Sequence, residues 1–224
     1  MNSTVILKGN ILYTPRPSEF ISIQHGYIIA VDGVVVYCGE SIPPAYEDCE
    51  ITDYGDNLII PGFVDTHAHA PQYCNRGLGM DKELLPWLET YTFPEEAKFS
   101  DLDYARLVYG AFVQDLWRNG TTRSILFGTI HKESTLVLME LLQKAGLSAY
   151  VGKVNMDRNS PDFLIEETSQ SLADTKEWLE ASASFGPLVK PIITPRFVPS
   201  CTSELMDGLG TLSEAYNVPV QSHL

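Results

Sequence analysis

Pro61-Gly62-Phe63-Val64-Asp65-Thr66-His67-Ala68-His69-Ala70 is the stretch that decides the fold. An apolar run ends there in two histidines two residues apart, with Gln72 three positions beyond the second. Side chains alternate faces along a strand, so His67 and His69 point the same way, about 6.6 Å apart along the backbone. Two imidazoles so placed can share one metal ion, at about 2.0–2.1 Å each for zinc. Phe63 and Val64 fall on opposite faces, so both faces read as apolar, the pattern of a strand inside a parallel α/β sheet. A ligand pair at the C-terminal end of such a strand lies at the mouth where (β/α) barrels do their chemistry.

The chain reads differently on the two sides of Pro61-Gly62. Residues 1–60 read as short strands, Val5–Tyr13, Phe20–Ile23, Tyr27–Val31, Val34–Cys38 and Asn57–Ile60, rich in β-branched and aromatic residues. His25-Gly26 and Asp32-Gly33 are the turn signals between them. This predicts a small antiparallel sheet over 1–60, packed beside the main domain. From 61 to 224 strand and helix alternate. A long connection, Pro71 to Ser100, carries Trp87, Tyr91 and Phe93 and reads as a functional loop or lid. A helix capped at Ser100-Asp101 then runs to Asn119-Gly120. Strands follow at Thr121–Phe127, Ala149–Val154, Val189–Phe197 and Val218–His223, with helices between them. Repeated strand–helix–strand units force parallel strands and right-handed crossovers. A closed barrel takes eight units and roughly 250 residues. An open doubly wound sheet would not usually collect histidines from its first and fifth strands. The expectation is therefore the first five strands of a (β/α)8 barrel.

Composition sets the outer bounds. With 224 residues, 44% hydrophobic and 20% charged, the chain can bury a sizeable core. A net charge of −14 argues against nucleic acid and anionic membrane as partners. No apolar run is long enough to span a bilayer and no basic, apolar leader pattern opens the sequence, so a cytoplasmic protein is expected. Cys38, Cys49, Cys74 and Cys201 form no C-x-x-C pair and read as reduced thiols.

The fifth strand ends in a third imidazole, His223. Barrel strand ends converge, so His67, His69 and His223 can meet around one ion. Three protein ligands and an open position is the catalytic arrangement for zinc. A metal so held lowers the pKa of its water from 15.7 toward about 7. Lys190 lies near the start of the fourth strand, seven residues before Phe197 and so about 23 Å from the mouth, which disfavours a lysine-bridged second metal. At the mouth end stand Arg196, a forked donor, and Phe197, a stacking face for a flat ring. His131-Lys132-Glu133 is an H-x-E, half of the cytidine-type deaminase signature. The other half, P-C-x-x-C, is absent, so that fold is rejected and His131 reads as structural.

Together, Pro61–Gln72, Glu89-Thr90-Tyr91-Thr92-Phe93-Pro94, Asn119–Thr122, Gly152–Asp157, Lys190–Phe197 and Val220–His223 resemble the guanine deaminase family, within the amidohydrolase superfamily. The resemblance implies a (β/α)8 barrel with a flanking β-sandwich, one zinc ion per subunit, a homodimer, and hydrolysis of guanine to xanthine and ammonia. It also implies zinc ligation by His67, His69 and His223, and purine binding by Gln72, Arg196 and Phe197. Arg196 would face the carbonyl oxygen and Phe197 would pack on the ring. Amidohydrolases acting on adenosine derivatives, cytosine or triazines are the alternatives. The family's proton-shuttling glutamate, three residues past the fifth-strand histidine, falls after Leu224, as do its sixth-strand histidine and eighth-strand aspartate. No catalytic residue of that kind is therefore expected within 1–224, and the isolated chain is expected to be inactive. The competing class is a non-catalytic fragment or insertion partner.

Overall fold

The computed structural model describes residues 3–223; Met1, Asn2 and Leu224 lie outside the described residues. The chain divides into two compact units, Met1–Gly62 and Phe63–Leu224.

The first unit is a four-stranded sheet of β1 (Thr4–Arg16), β2 (Glu19–Val31), β3 (Val34–Gly39) and β4 (Ile51–Ile59), in the order β3-β2-β1-β4. β1–β2 and β2–β3 are antiparallel, but β4 joins β1 in parallel, so the sheet is mixed rather than wholly antiparallel. Asp32 (φ 51°) and Gly33 (φ 79°) make the tight turn into β3, where both central residues need positive φ. His25-Gly26 is not a turn. The two predicted strands around it are one strand, β2, with a bulge where Gly9 pairs with Gly26 and Ile11 with Ile23. His25 takes φ 50° there, and its N–H donates to Asn10 Oδ1 at 3.1 Å. Ile6, Ile11 and Ile29 are the buried hydrophobic side chains of this sheet.

The second unit is built on parallel strands β5 (Phe63–His69), β6 (Thr121–Phe127), β7 (Ser148–Gly152) and β9 (Val189–Pro191), in that order. The third strand breaks at Lys153 and resumes as β8 (Val154–Asn155). The fourth breaks after Pro191 and resumes as β10 (Thr194–Pro195), which pairs with β8. Pro191 and Pro195 are the last residues of β9 and β10. The predicted fifth strand is held by two parallel bridges, Ile193 to Val220 and Phe197 to His223. Strict chain order across five strands, with no reversal, is a barrel sector rather than a doubly wound sheet with its switch point.

Helices α3 (Leu102–Arg118), α4 (Lys132–Ala145), α5 (Thr168–Ser182) and α6 (Ser203–Tyr216) cover this sheet. Their apolar stripes bury Tyr109, Leu138, Met139, Leu142, Trp178 and Leu205 against Leu126, Val151 and Ile193. Asp101 caps α3, its carboxylate accepting from the Asp103 and Tyr104 amides, and Gly120 (φ 72°) follows its end. The predicted loop over 71–100 is largely helical instead. Short turns of helix, α1 (Leu84–Trp87) and α2 (Phe93–Ala97) among them, run almost unbroken from Leu84 to Ser100. Phe63 and Val64 are 58% and 56% exposed, not enclosed as their apolar character predicts. β5 is an edge strand that pairs only with β6 among the described residues, so half of its surroundings are uncovered.

Candidate active site

His67 and His69 stand at the C-terminal end of β5, and His223 comes to them from the last bridged residues of the chain. One ring nitrogen of each lies within 4.8 Å of the other two. His223 Nε2 is 3.0 Å from His69 Nε2 and 3.3 Å from His67 Nε2. Two ligands held at about 2.0–2.1 Å on a tetrahedral ion stand about 3.3 Å apart, so these spacings fit a shared metal. The protonation pattern fits as well. His223 Nδ1 lies 2.6 Å from the Arg196 carbonyl, which can only accept. The proton therefore sits on Nδ1, and the neutral ring turns its Nε2 lone pair toward the other histidines.

Electrostatics favour neutral rings at His69 and His223. Burial, then the Arg196 charge and the two neighbouring imidazoles, hold His69 well below the ordinary histidine value. Burial also lowers His223, against the opposing effect of its hydrogen bond to Arg196. Phe127, at the end of β6, stacks on His69 with centroids 4.5 Å apart and planes 23° apart. Its ring also lies 4.5 Å from that of His223. Phe127 was not singled out from sequence. Its only signal there is its place at the mouth end of a predicted strand.

Beside the histidines lies a cavity of about 800 Å³, in the range of small-molecule sites. His69, His223, Gln72 and Arg196 supply its polar groups, and Leu84, Trp87 and Phe197 much of its apolar wall. The structure thus brings Gln72, Arg196 and Phe197 together with two of the three histidines. Arg196 is 3% exposed and stacks over Phe93 at 5.1 Å. Its guanidinium meets Glu96 in a fork, Nη1 to Oε2 at 2.5 Å and Nη2 to Oε1 at 3.1 Å. Glu96 is itself 1% exposed, and it accepts from Gln72 Nε2 at 3.2 Å. Sequence reading missed Glu96. The one available clue was an acidic pair, Glu95-Glu96, following the aromatic Tyr91-Thr92-Phe93-Pro94 run.

The remaining candidates stand apart. Lys190 is exposed on β9 and joins no metal-ligating group among the described residues. His131 precedes the first turn of α4, outside the three-histidine group. Burial, then the charge of Lys153, lowers its pKa. The four cysteines are free, and only Cys201 is buried.

Residues 58–224 match the amidohydrolase family model. The chain is 52% identical over 179 residues to a guanine deaminase of Dictyostelium discoideum, covering 80% of this chain and 40% of that protein. It is 38% identical over 220 residues to the guanine deaminase of Escherichia coli, covering 93% of this chain and 49% of that one. The crystal structure of a guanine deaminase from C. acetobutylicum, with guanine bound in its active site, superposes with a TM-score of 0.96 at 53% identity. That match covers 99% of this chain and 53% of the other. The chain thus spans about half the length of the relatives it matches. Amidohydrolases generally use a metal ion, and the three converging histidines suit one. With its parallel strands in barrel order and its histidines gathered at their C-terminal ends, the chain belongs to the amidohydrolase family.

Proposed function

We propose that this chain forms part of a zinc-dependent guanine deaminase, hydrolysing guanine to xanthine and ammonia, with one zinc ion per subunit. The observation that carries the reading is the meeting of two residue sets at one cavity. The histidine cluster His67, His69 and His223 has metal-ligand spacing, and Gln72, Arg196 and Phe197 stand next to it. The naming of the relatives as guanine deaminases supports the substrate.

In this reading His67, His69 and His223 hold the ion through Nε2. A metal bound there supplies activated water at neutral pH. Phe197 gives the purine a stacking face. Arg196 keeps guanidinium N–H groups beyond the two engaged by Glu96, and these donate to the carbonyl oxygen of the ring. Gln72 turns its Nε2 to Glu96, which leaves Oε1 as the acceptor for a ring N–H. Leu84 and Trp87 line the apolar side and keep water from the ring. The reading includes homodimeric assembly, as the family resemblance implies, and a cytoplasmic setting.

The test is turnover by a polypeptide of the relatives' length that carries residues 1–224. Supplied with zinc and guanine, it should produce xanthine, followed by absorbance. No turnover of guanine, alongside good turnover of an adenosine derivative, cytosine or a triazine, would move the protein to a different deaminase of the same family.

A further inference from the structure

We infer that Glu96 is the positioning residue of the ligand-binding wall: it fixes both the direction of the Arg196 guanidinium and the rotamer of the Gln72 amide. This rests on the proposed purine substrate, and it adds a residue that neither the motif nor the resemblance marks.

Glu96 reaches the site from α2, a hundred residues before Arg196. Its carboxylate accepts from both polar side chains of that wall. One carboxylate oxygen takes Arg196 Nη1, and the other takes both Arg196 Nη2 and Gln72 Nε2. A carboxylate only accepts, so the Gln72 amide must show it the NH2 group and not the oxygen. The amide flip is therefore imposed by Glu96. Without it, Gln72 could present a donor or an acceptor to the cavity with equal ease.

The same carboxylate sets the guanidinium plane. A forked, two-bond contact holds a planar cation in one orientation. Phe93 lies against that cation and limits its tilt. With two N–H groups committed to Glu96, the outer N–H groups are left in a defined direction. The Arg196 main chain is fixed independently, its N–H donating to Asn155 O at 3.1 Å and its carbonyl accepting from His223. The outcome is a donor from Arg196 and an acceptor from Gln72, both held still before the ligand arrives. That pair matches a ring carbonyl with an adjacent N–H, a lactam edge. A site built to pair polar groups rejects ligands that leave those groups unpaired.

The test compares two ligands that differ in the oxygen. In a polypeptide of the relatives' length, kcat/KM for guanine is measured together with the inhibition constant of 2-aminopurine, the same ring without oxygen. Glu96→Gln should lower kcat/KM for guanine by about 10- to 150-fold, the worth of a charged hydrogen bond, and move the 2-aminopurine constant less than about threefold. Bound zinc should stay the same. Glu96→Asp keeps the charge that a buried arginine needs, so it preserves folding if the glutamine variant does not. It should show the same selective loss at smaller size. Equal losses on both ligands, or no loss on either, would overturn the positioning role. Absence of guanine turnover in the unsubstituted protein would instead overturn the substrate reading, so the two failures are distinguishable.

Discussion

Removing one imidazole should abolish most of the stabilisation that zinc gives this chain. Anything that binds only the folded state stabilises it by RT ln(1 + [L]/Kd), about 2.7 kcal/mol at a hundred times Kd. For a chain of this size each kcal/mol moves the melting temperature by about 2–4 °C, so saturating zinc should raise it by about 5–11 °C. The histidine spacings of 3.0 and 3.3 Å suit a tetrahedral ion, so little of the binding energy is spent on moving the ligands together. In His223→Ala one ligand is lost, together with the ring that the Arg196 carbonyl orients. If the site weakens about a hundredfold, the same zinc concentration only matches the new Kd and stabilises by about 0.4 kcal/mol, near 1 °C. Thermal scans with and without zinc, reversed by a chelator, read both numbers. The chain has five histidines, so His25→Ala, in the other compact unit, is the control that should keep the full shift. A His67→Ala/His69→Ala/His223→Ala variant that zinc still stabilises by as much as the parent would refute the assignment and point to the thiols instead.

Arg196→Lys should not be conservative, because an ammonium cannot reproduce the fork to Glu96 and still donate outward. Losing that charged hydrogen bond should raise KM for guanine about 10- to 150-fold, or ~1.5–3 kcal/mol, in a polypeptide of the relatives' length; unchanged kinetic constants would make Arg196 structural. Leu138→Ala, at a fully buried position of α4, should cost about 2–5 kcal/mol in urea unfolding, and a loss below about 1 kcal/mol would mean the core closes over the gap. Asp101→Ala removes the cap of α3 and two amide contacts, which should cost about 0.5–2 kcal/mol; a midpoint unchanged in urea would show that water replaces the carboxylate without loss.

What the sequence disclosed is what local chemistry controls. The H-x-H strand, the Asp101 cap and the Asp32-Gly33 turn each depend on residues within a few positions of one another. The His25-Gly26 bulge shows where that stops. A positive φ beside a glycine looks the same in a turn as in a bulge. Asn10, fifteen residues earlier, is what holds the kink inside one continuous strand. The helical course of 84–100 was hidden for another reason. Its pieces are three to five residues long, too short for a helical period to register. Pro94 sits in the first turn of α2, where a missing N–H costs nothing. Glu96 was out of reach on both counts. It lies in that segment, and its partner Arg196 is a hundred residues away.

In the proposed reading the three-histidine cluster and the cavity wall share Arg196 but would use different parts of it. Its carbonyl orients the His223 ring, while its guanidinium answers to Glu96 and the cavity. A main-chain contact survives any side-chain substitution that leaves the strand in place. Changes at Arg196 or Glu96 should therefore alter which ring is gripped without loosening the ion. The backbone bridge between Phe197 and His223 works in the same direction, since it ties Phe197 to the histidine-bearing end of the chain through main-chain atoms. Arg196 and Phe197 are consecutive in sequence, and both border the cavity. Main-chain bonds hold each of them: the Arg196 N–H donates to Asn155 O, and Phe197 is bridged to His223. In the proposed reading one of the two would grip the ligand through its charge and the other through its ring.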